Sequence, residues 1–292
     1  MPGRETRGDV TSDIRPTTKQ FYTPAPYSRL VRDGEVLVVG VGGLGCLWAL
    51  EAHSGCPDLA ELLLVDADES SFEGASYANC LFLDSGGEGR GAAALPSMAI
   101  HRLMDGMESI SDLLERAEVV ILMAGLGGGM GSGASGELAK MAKQYGSLVL
   151  SVVGLPFAEQ PLRCAIAEEA LPSLEAHSDV CIRVSMERLA WQSRRRKTNW
   201  MLGSGWIGEL VEGLVTTLAS VGRINLDLMD MRAIINKTGN ATLIVGTGSS
   251  ENPSSVVEMA RNSPLNDVSI EGAKGCMIPV SYTHLRAHET GY

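Results

Sequence analysis

The sequence predicts an α/β fold in which a parallel sheet is covered by helices on both faces, and three observations lead there. Strand-like apolar runs alternate with helix-like stretches from residue 35 to residue 184. Those strand runs are continuously apolar, as strands buried on both faces require. Two of them, VLVVG and VVILMAG, break directly into glycine clusters. In such sheets a ligand sits beyond the carboxyl ends of the strands, so the residues just after each strand are the first place to seek function.

The elements follow in order. Residues 1–33 are polar, carry four prolines and show no periodicity, and read as a flexible extension. Strands are expected at Glu35–Val39, Glu61–Val65, Val119–Met123, Leu148–Val153 and Val180–Val184. Helices are expected between them at Leu44–His53, Leu95–Leu103, Gly133–Tyr145 and Leu162–Leu174. A long apolar helix, Ile207–Leu218, then leads to a helix at Leu228–Thr238, a strand at Ala241–Val245, a short helix at Pro253–Ala260 and a strand at Gly275–Val280. Two strands make a thin second unit, which suggests that the chain is cut short. The final SYTHLRAHETGY, residues 281–292, matches nothing before it and reads as a non-native tail. His284 and His288 stand at a helical metal-ligand spacing, but no third ligand is evident.

Composition narrows the function classes. A chain of 292 residues, 45% hydrophobic, has ample material for a buried core. Its net charge of −11 opposes nucleic-acid and anionic-membrane binding. The six cysteines form no C-x-x-C pair and no zinc-spaced cluster, so reduced, buried thiols are expected. The opening residues show no apolar core of a signal peptide and no apolar stretch reaches spanning length, so the expected compartment is the cytoplasm.

The glycine clusters carry the chemistry. Gly40-x-Gly42-x-x-Gly45 follows the first strand, and the second strand ends in Asp66-Ala67-Asp68. A glycine turn before a helix lets backbone N–H groups approach a phosphate, with an acid after the next strand available for a ribose. Dinucleotide enzymes, flavoproteins and adenylating enzymes all use this device, and the first cluster does not choose among them. The second is more informative: Leu126-Gly127-Gly128-Gly129-Met130-Gly131-Ser132-Gly133 lies between a buried strand and a helix. Five glycines in seven residues lose much backbone entropy on folding, which makes sense if several N–H groups face an anion with a helix dipole behind them. No G-x-x-x-x-G-K-[ST] occurs, so this is no P-loop.

GGGMGSG resembles the GGGTG(T/S)G signature of the tubulin/FtsZ family, and the resemblance runs from residue 35 to residue 280. The family's first loop, GVGGGGNN, stands here as GVGGLGCL, and a third-loop segment as Gly89–Pro96. Its PFxFEGxxR stretch is similar to PFAEQPLR, which offers Glu159 and Arg163. Ser263-Pro264-Leu265 and Gly272-Ala273-Lys274-Gly275 are similar to two late FtsZ motifs. The FtsZ pattern N-x-D-x-x-D is matched by Asn225, Asp227 and Asp230, followed by Arg232. Taken alone, that pattern is an ordinary helix-capping sequence.

The resemblance implies a Rossmann-like GTPase sheet over residues 34–200, a core helix at 201–223 and an incomplete second, α+β domain at 224–280. It implies GTP or GDP, with Mg2+ accompanying the nucleotide. The phosphates and nucleoside would lie on Gly42, Gly43, Leu44, Gly45, Cys46, Gly91, Ala92, Gly128, Gly129, Met130, Gly131, Ser132, Gly133, Glu159, Arg163 and Ser204. Asn225, Asp227 and Asp230 would reach the nucleotide of the next subunit in a head-to-tail filament and place the attacking water. Expected partners are further copies of the chain, other FtsZ-like subunits or division proteins, with cell division or cell shape as the task. A non-hydrolysing structural or regulatory homologue is the second reading, and an adenylating or NAD-dependent enzyme the third.

Several positions depart from the family. Cys46, Leu47 and Met186 stand where it has asparagines, and Met130 where it has a threonine. Side-chain donors to the base are thus lost while backbone phosphate binding is kept, so base discrimination should suffer first. Arg194-Arg195-Arg196-Lys197 reads as a solvated basic loop, and Trp191, Trp200 and Trp206 as core packing.

Overall fold

In the computed structural model, residues 35–75, 78–83, 95–197, 205–219, 228–235 and 251–262 are described, together with positions 244, 246, 248, 271 and 272. The 1–33 extension, the strand at Gly275–Val280, the 281–292 tail and Trp200 lie outside them, as does all of Ala241–Val245 except Ile244.

Among the described residues six strands form one sheet: β1 (Val36–Val41), β2 (Glu61–Asp66), β3 (Asn79–Phe82), β4 (Val119–Gly125), β5 (Leu148–Leu155) and β6 (Val180–Ser185). The spatial order is β3-β2-β1-β4-β5-β6 and every pairing is parallel. Val38 of β1 lies opposite Leu62 of β2 on one side and Ile121 of β4 on the other. The chain therefore builds outward from β1 in one direction, then returns to place β4 on its other side. That reversal opens a crevice at the carboxyl ends of β1 and β4.

The apolar strand runs are explained by the two cores they feed. Val36 and Val38 face one layer, which holds α1 (Gly42–Ser54), α6 (Met186–Arg196) and α7 (Trp206–Ala219) through Trp48, Leu189, Ile207 and Val211. Leu37, Val39 and Val41 face the other, formed by α2 (Pro96–Gly106), α4 (Gly129–Gln144) and α5 (Pro161–Ala176) through Leu103, Leu138 and Leu174. A short α3 (Ser111–Arg116) leads into β4. Beyond α7 come α8 (Leu228–Ile235), whose Met231 is buried in the first core, and α9 (Pro253–Arg261). Among the described residues no helix is long and apolar enough to cross a membrane.

Four differences from the sequence reading have physical causes. β3 was not foreseen because it is a four-residue edge strand with only Leu81 buried, which leaves no apolar run to find. α1 and α4 begin at Gly42 and Gly129, inside the glycine clusters, because those glycines supply helical turns as well as loop. The basic run forms the last turn and cap of α6, where cations complement the helix dipole, and is not a loop. Trp206 is buried as expected, whereas Trp191 is exposed.

Candidate functional site

Two helices start at the crevice, and neither start is satisfied from within. α1 follows β1 without an intervening loop, its N-cap Val41 makes no side-chain hydrogen bond and its first turn has no acid. α4 begins behind Gly128, again without a side-chain cap or an acid in the first turn. A helix N-terminus leaves its first N–H groups without intrahelical partners and carries a partial positive charge. Two such ends side by side form a binding place for an anion.

The glycines divide into two kinds. Gly45 and Gly131 are there for packing, since a Cβ on either would lie under 3.0 Å from a strand carbonyl, that of Met123 or of Gly125. Gly43 and Gly128 are open: the nearest atom to a Cβ on Gly43 is Ser71 Oγ at 3.7 Å, and nothing lies within 4 Å of one on Gly128. A side chain would therefore find room at Gly43 and Gly128 and meet backbone at Gly45 and Gly131.

Ser132 shapes the second loop. Its hydroxyl accepts the Gly127 N–H at 2.8 Å in a buried position, which holds Gly127 in its left-handed conformation (φ 92°). Ser135 Oγ then donates to Gly131 O at 2.6 Å, and Leu126 N to Gly154 O at 2.9 Å. The loop is thus fixed at three points before any ligand arrives, and preorganisation of this kind lowers the cost of binding.

Other foreseen side chains turn inward. Met130 packs into the second core, so at the site it has only its backbone to offer. Cys46 is fully buried in the first core, its Sγ 3.5 Å from Gly40 O, and burial pushes its thiol pKa well above the ordinary value. Leu44 lies against Gly125 and Gly154. Met186 is buried, with its sulfur 3.0 Å from where a Cβ on Gly154 would stand.

Asp66, the candidate ribose acid, is also turned in. Its carboxylate accepts from the Ala67 N–H at 2.7 Å and from Ser71 Oγ at 2.5 Å, and burial raises its pKa. Its role is to brace the 66–71 segment that walls the open Gly43. Ser71 was not foreseen, because no motif marks it; only the fold brings it to the first loop.

Glu159 and Arg163 are exposed at the carboxyl side of β5, and the backbone of Arg163 packs against Gly127. Gly91, Ala92, Ser204, Asn225 and Asp227 lie outside the described residues, and of Asp230 only its place in α8 is described. No group of three or more His, Cys, Asp or Glu able to hold a metal occurs among the described residues.

A doubly wound parallel sheet with two uncapped helix starts at its switch point is the architecture of nucleotide-binding α/β proteins. The particular family follows from comparison with known proteins. A family model described as "Tubulin/FtsZ family, GTPase domain" matches residues 35–192. "Cell division protein FtsZ 1" of Pyrococcus abyssi is 31% identical over 259 residues, covering 87% of this chain and 70% of the relative. "Cell division protein FtsZ 2" of Haloferax volcanii is 31% identical over 266 residues, covering 85% and 63%. Among solved structures, an empty FtsZ dimer of M. jannaschii superposes with a TM-score of 0.71 at 28% identity, over 82% of this chain and 71% of that one. A GTPγS-bound CetZ2 protofilament of Haloferax volcanii shares the fold, with a TM-score of 0.62 at 19% identity over 78% and 72%. The chain belongs to the tubulin/FtsZ family of GTPases.

Proposed function

We propose that this chain binds GTP in the crevice between β1 and β4, assembles head-to-tail with copies of itself, and hydrolyses the nucleotide where two copies meet. The observation that carries this reading is the pair of uncapped helix starts, α1 and α4, with Gly43 and Gly128 open beside them. The phosphates lie on Gly42–Cys46 and Gly128–Gly133, reached also by Gly91 and Ala92. Glu159 and Arg163 stand near the ribose, and Ser204 near the base. Mg2+ comes with the nucleotide, held chiefly by phosphate oxygens as this ion prefers.

Asn225, Asp227 and Asp230 act on the neighbour's nucleotide by placing water, because phosphoryl transfer needs orientation and charge stabilisation more than covalent chemistry. Heterologous contacts of this type generate open filaments. In the domain reading, residues 34–200 bind nucleotide, 201–223 form the core helix and 224–280 belong to a second domain. The filament works in the cytoplasm, in division or in cell shape.

The test is GTP turnover against protein concentration, with an Asp227→Ala control. Turnover per subunit should rise cooperatively and vanish in the variant. Binding without turnover at any concentration would leave only a structural or regulatory homologue, and a preference for ATP or NAD would sink the reading.

A further inference from the structure

We infer that Arg232 is the positioning residue for the acid loop, and that it works by tying α8 to the C-terminal cap of the phosphate-binding helix. Arg232 Nη2 donates to the carbonyl oxygen of Gly146 at 2.8 Å. Gly146 is the left-handed residue (φ 92°) that ends α4: its N–H donates to Lys143 O and the Ser147 N–H to Ala142 O, both at 3.0 Å. That pair of bonds is a Schellman cap, which fixes where the Gly146 carbonyl points. Ser147 Oγ donates to Ala117 O at 2.7 Å and locks the cap to the chain entering β4. The acceptor offered to Arg232 is therefore rigid, and a guanidinium beside helix C-terminal carbonyls is also favoured by the dipole.

α8 needs such a tether. It has eight residues, too few to be stable as an isolated helix. Burial of Met231 and the packing of Ile235 hold it to the first core, but apolar contact is not directional and leaves rotation about the helix axis weakly set. A charge-assisted hydrogen bond from the adjacent residue supplies the missing direction. Asp230 is two positions from Arg232 on the same helix, so the rotation that Arg232 sets is the one the Asp230 backbone takes.

The same bond fixes a distance. α4 has 16 residues, roughly 24 Å at 1.5 Å per residue, with the phosphate loop at its start and Arg232 at its end. Eleven of its residues are buried, so it acts as a rigid spacer. α8 is thus tied to the end of α4 that lies farthest from the phosphate loop.

This inference rests on the head-to-tail reading, and the experiment separates the two. Arg232→Ala and Arg232→Lys are made in the full chain. First, amide hydrogen exchange over residues 229–235 is measured in dilute, unassembled protein, where hydrolysis plays no part. The alanine variant should exchange about tenfold faster there, with Lys partly restoring protection and with unchanged far-UV circular dichroism. Equal exchange in all three proteins overturns the tether, whatever the filament does. Second, turnover is measured in assembled protein. In the alanine variant kcat should fall about tenfold with KM for GTP unchanged, and Lys should recover much of it. A wild-type chain that turns over GTP alongside an Arg232→Ala variant with full kcat, or with a loss confined to KM, overturns the positioning role alone. A wild-type chain without turnover overturns the function reading, and the exchange result still decides the tether.

Discussion

Gly42 and Gly131 face each other across the switch point: a Cβ on Gly42 would lie 3.1 Å from the Gly131 amide nitrogen. The first and second glycine loops are thus one structure, and a change in one is felt in the other. Gly42 has φ 71°, a region that costs an L-residue about 1–2 kcal/mol. Gly42→Ala should therefore lower stability by at least that amount and weaken nucleotide binding as well. Gly128→Ala is its counterpart: φ is −108° and the space is open, so the melting temperature should hold while nucleotide affinity falls. Thermal unfolding and a nucleotide titration on both variants check the contrast. Equal loss of stability in the two would mean that Gly128 is also a packing glycine.

Ser132→Ala tests the staple within the second loop. Removing the hydroxyl strands the buried Gly127 N–H, a loss of about 1–3 kcal/mol. Denaturant unfolding should show that drop, and nucleotide affinity should fall with it because the loop is no longer preset. Ser132→Thr keeps the acceptor and should recover most of the stability. A Thr variant as weak as the Ala variant would show that the site is limited by volume and not by the hydrogen bond.

The sheet was legible because β1, β2, β4, β5 and β6 are apolar runs with helices between them, and burial on both faces leaves no other pattern. β3 was not, since an edge strand that buries only Leu81 makes too little apolar contact to show. The crevice at the carboxyl ends of β1 and β4 was legible because glycines are scarce inside strands and helices: eight of them just after those two strands needed an explanation. Their division was not legible. Nothing local marks Gly131 as packing against Gly125 and Gly128 as open, because the difference lies in what the sheet brings opposite each. Ser71 and the inward turn of Asp66 are contacts of the same tertiary origin.

Base discrimination should be poor. By the resemblance, Met186 and Cys46 take positions where the family has asparagines; both are buried in the first core, and the Cys46 thiol donates inward, to Gly40 O and Val65 O. A site discriminates strongly only where its polar groups would be left unpaired by the wrong ligand. GTP should be preferred over ATP by roughly a hundredfold or less. Competition against a fluorescent GTP analogue measures the ratio, and a preference of about 10⁴ or more would show that other groups read the base.

Stability should depend on pH through Glu51. This residue of α1 meets the start of α7, where its carboxylate accepts the Gly205 N–H, while its Oε2 is buried with no partner among the described residues. Burial pushes its pKa up to about 7 from an ordinary 4.5. The folded state therefore binds a proton more tightly than the unfolded chain does, so this contribution to stability is full below pH 4.5 and lost as pH rises through 7. Glu51→Gln keeps an acceptor for Gly205 without the charge. Its melting temperature should exceed that of the wild type at pH 8, with the gap closing toward pH 4.5. α1 starts at the phosphate loop and α7 leads toward the acid loop, so nucleotide affinity measured across the same range tells whether this contact also joins the two ends of the site. A variant and wild type with parallel pH profiles would show that Glu51 reaches water in the folded protein and is charged throughout.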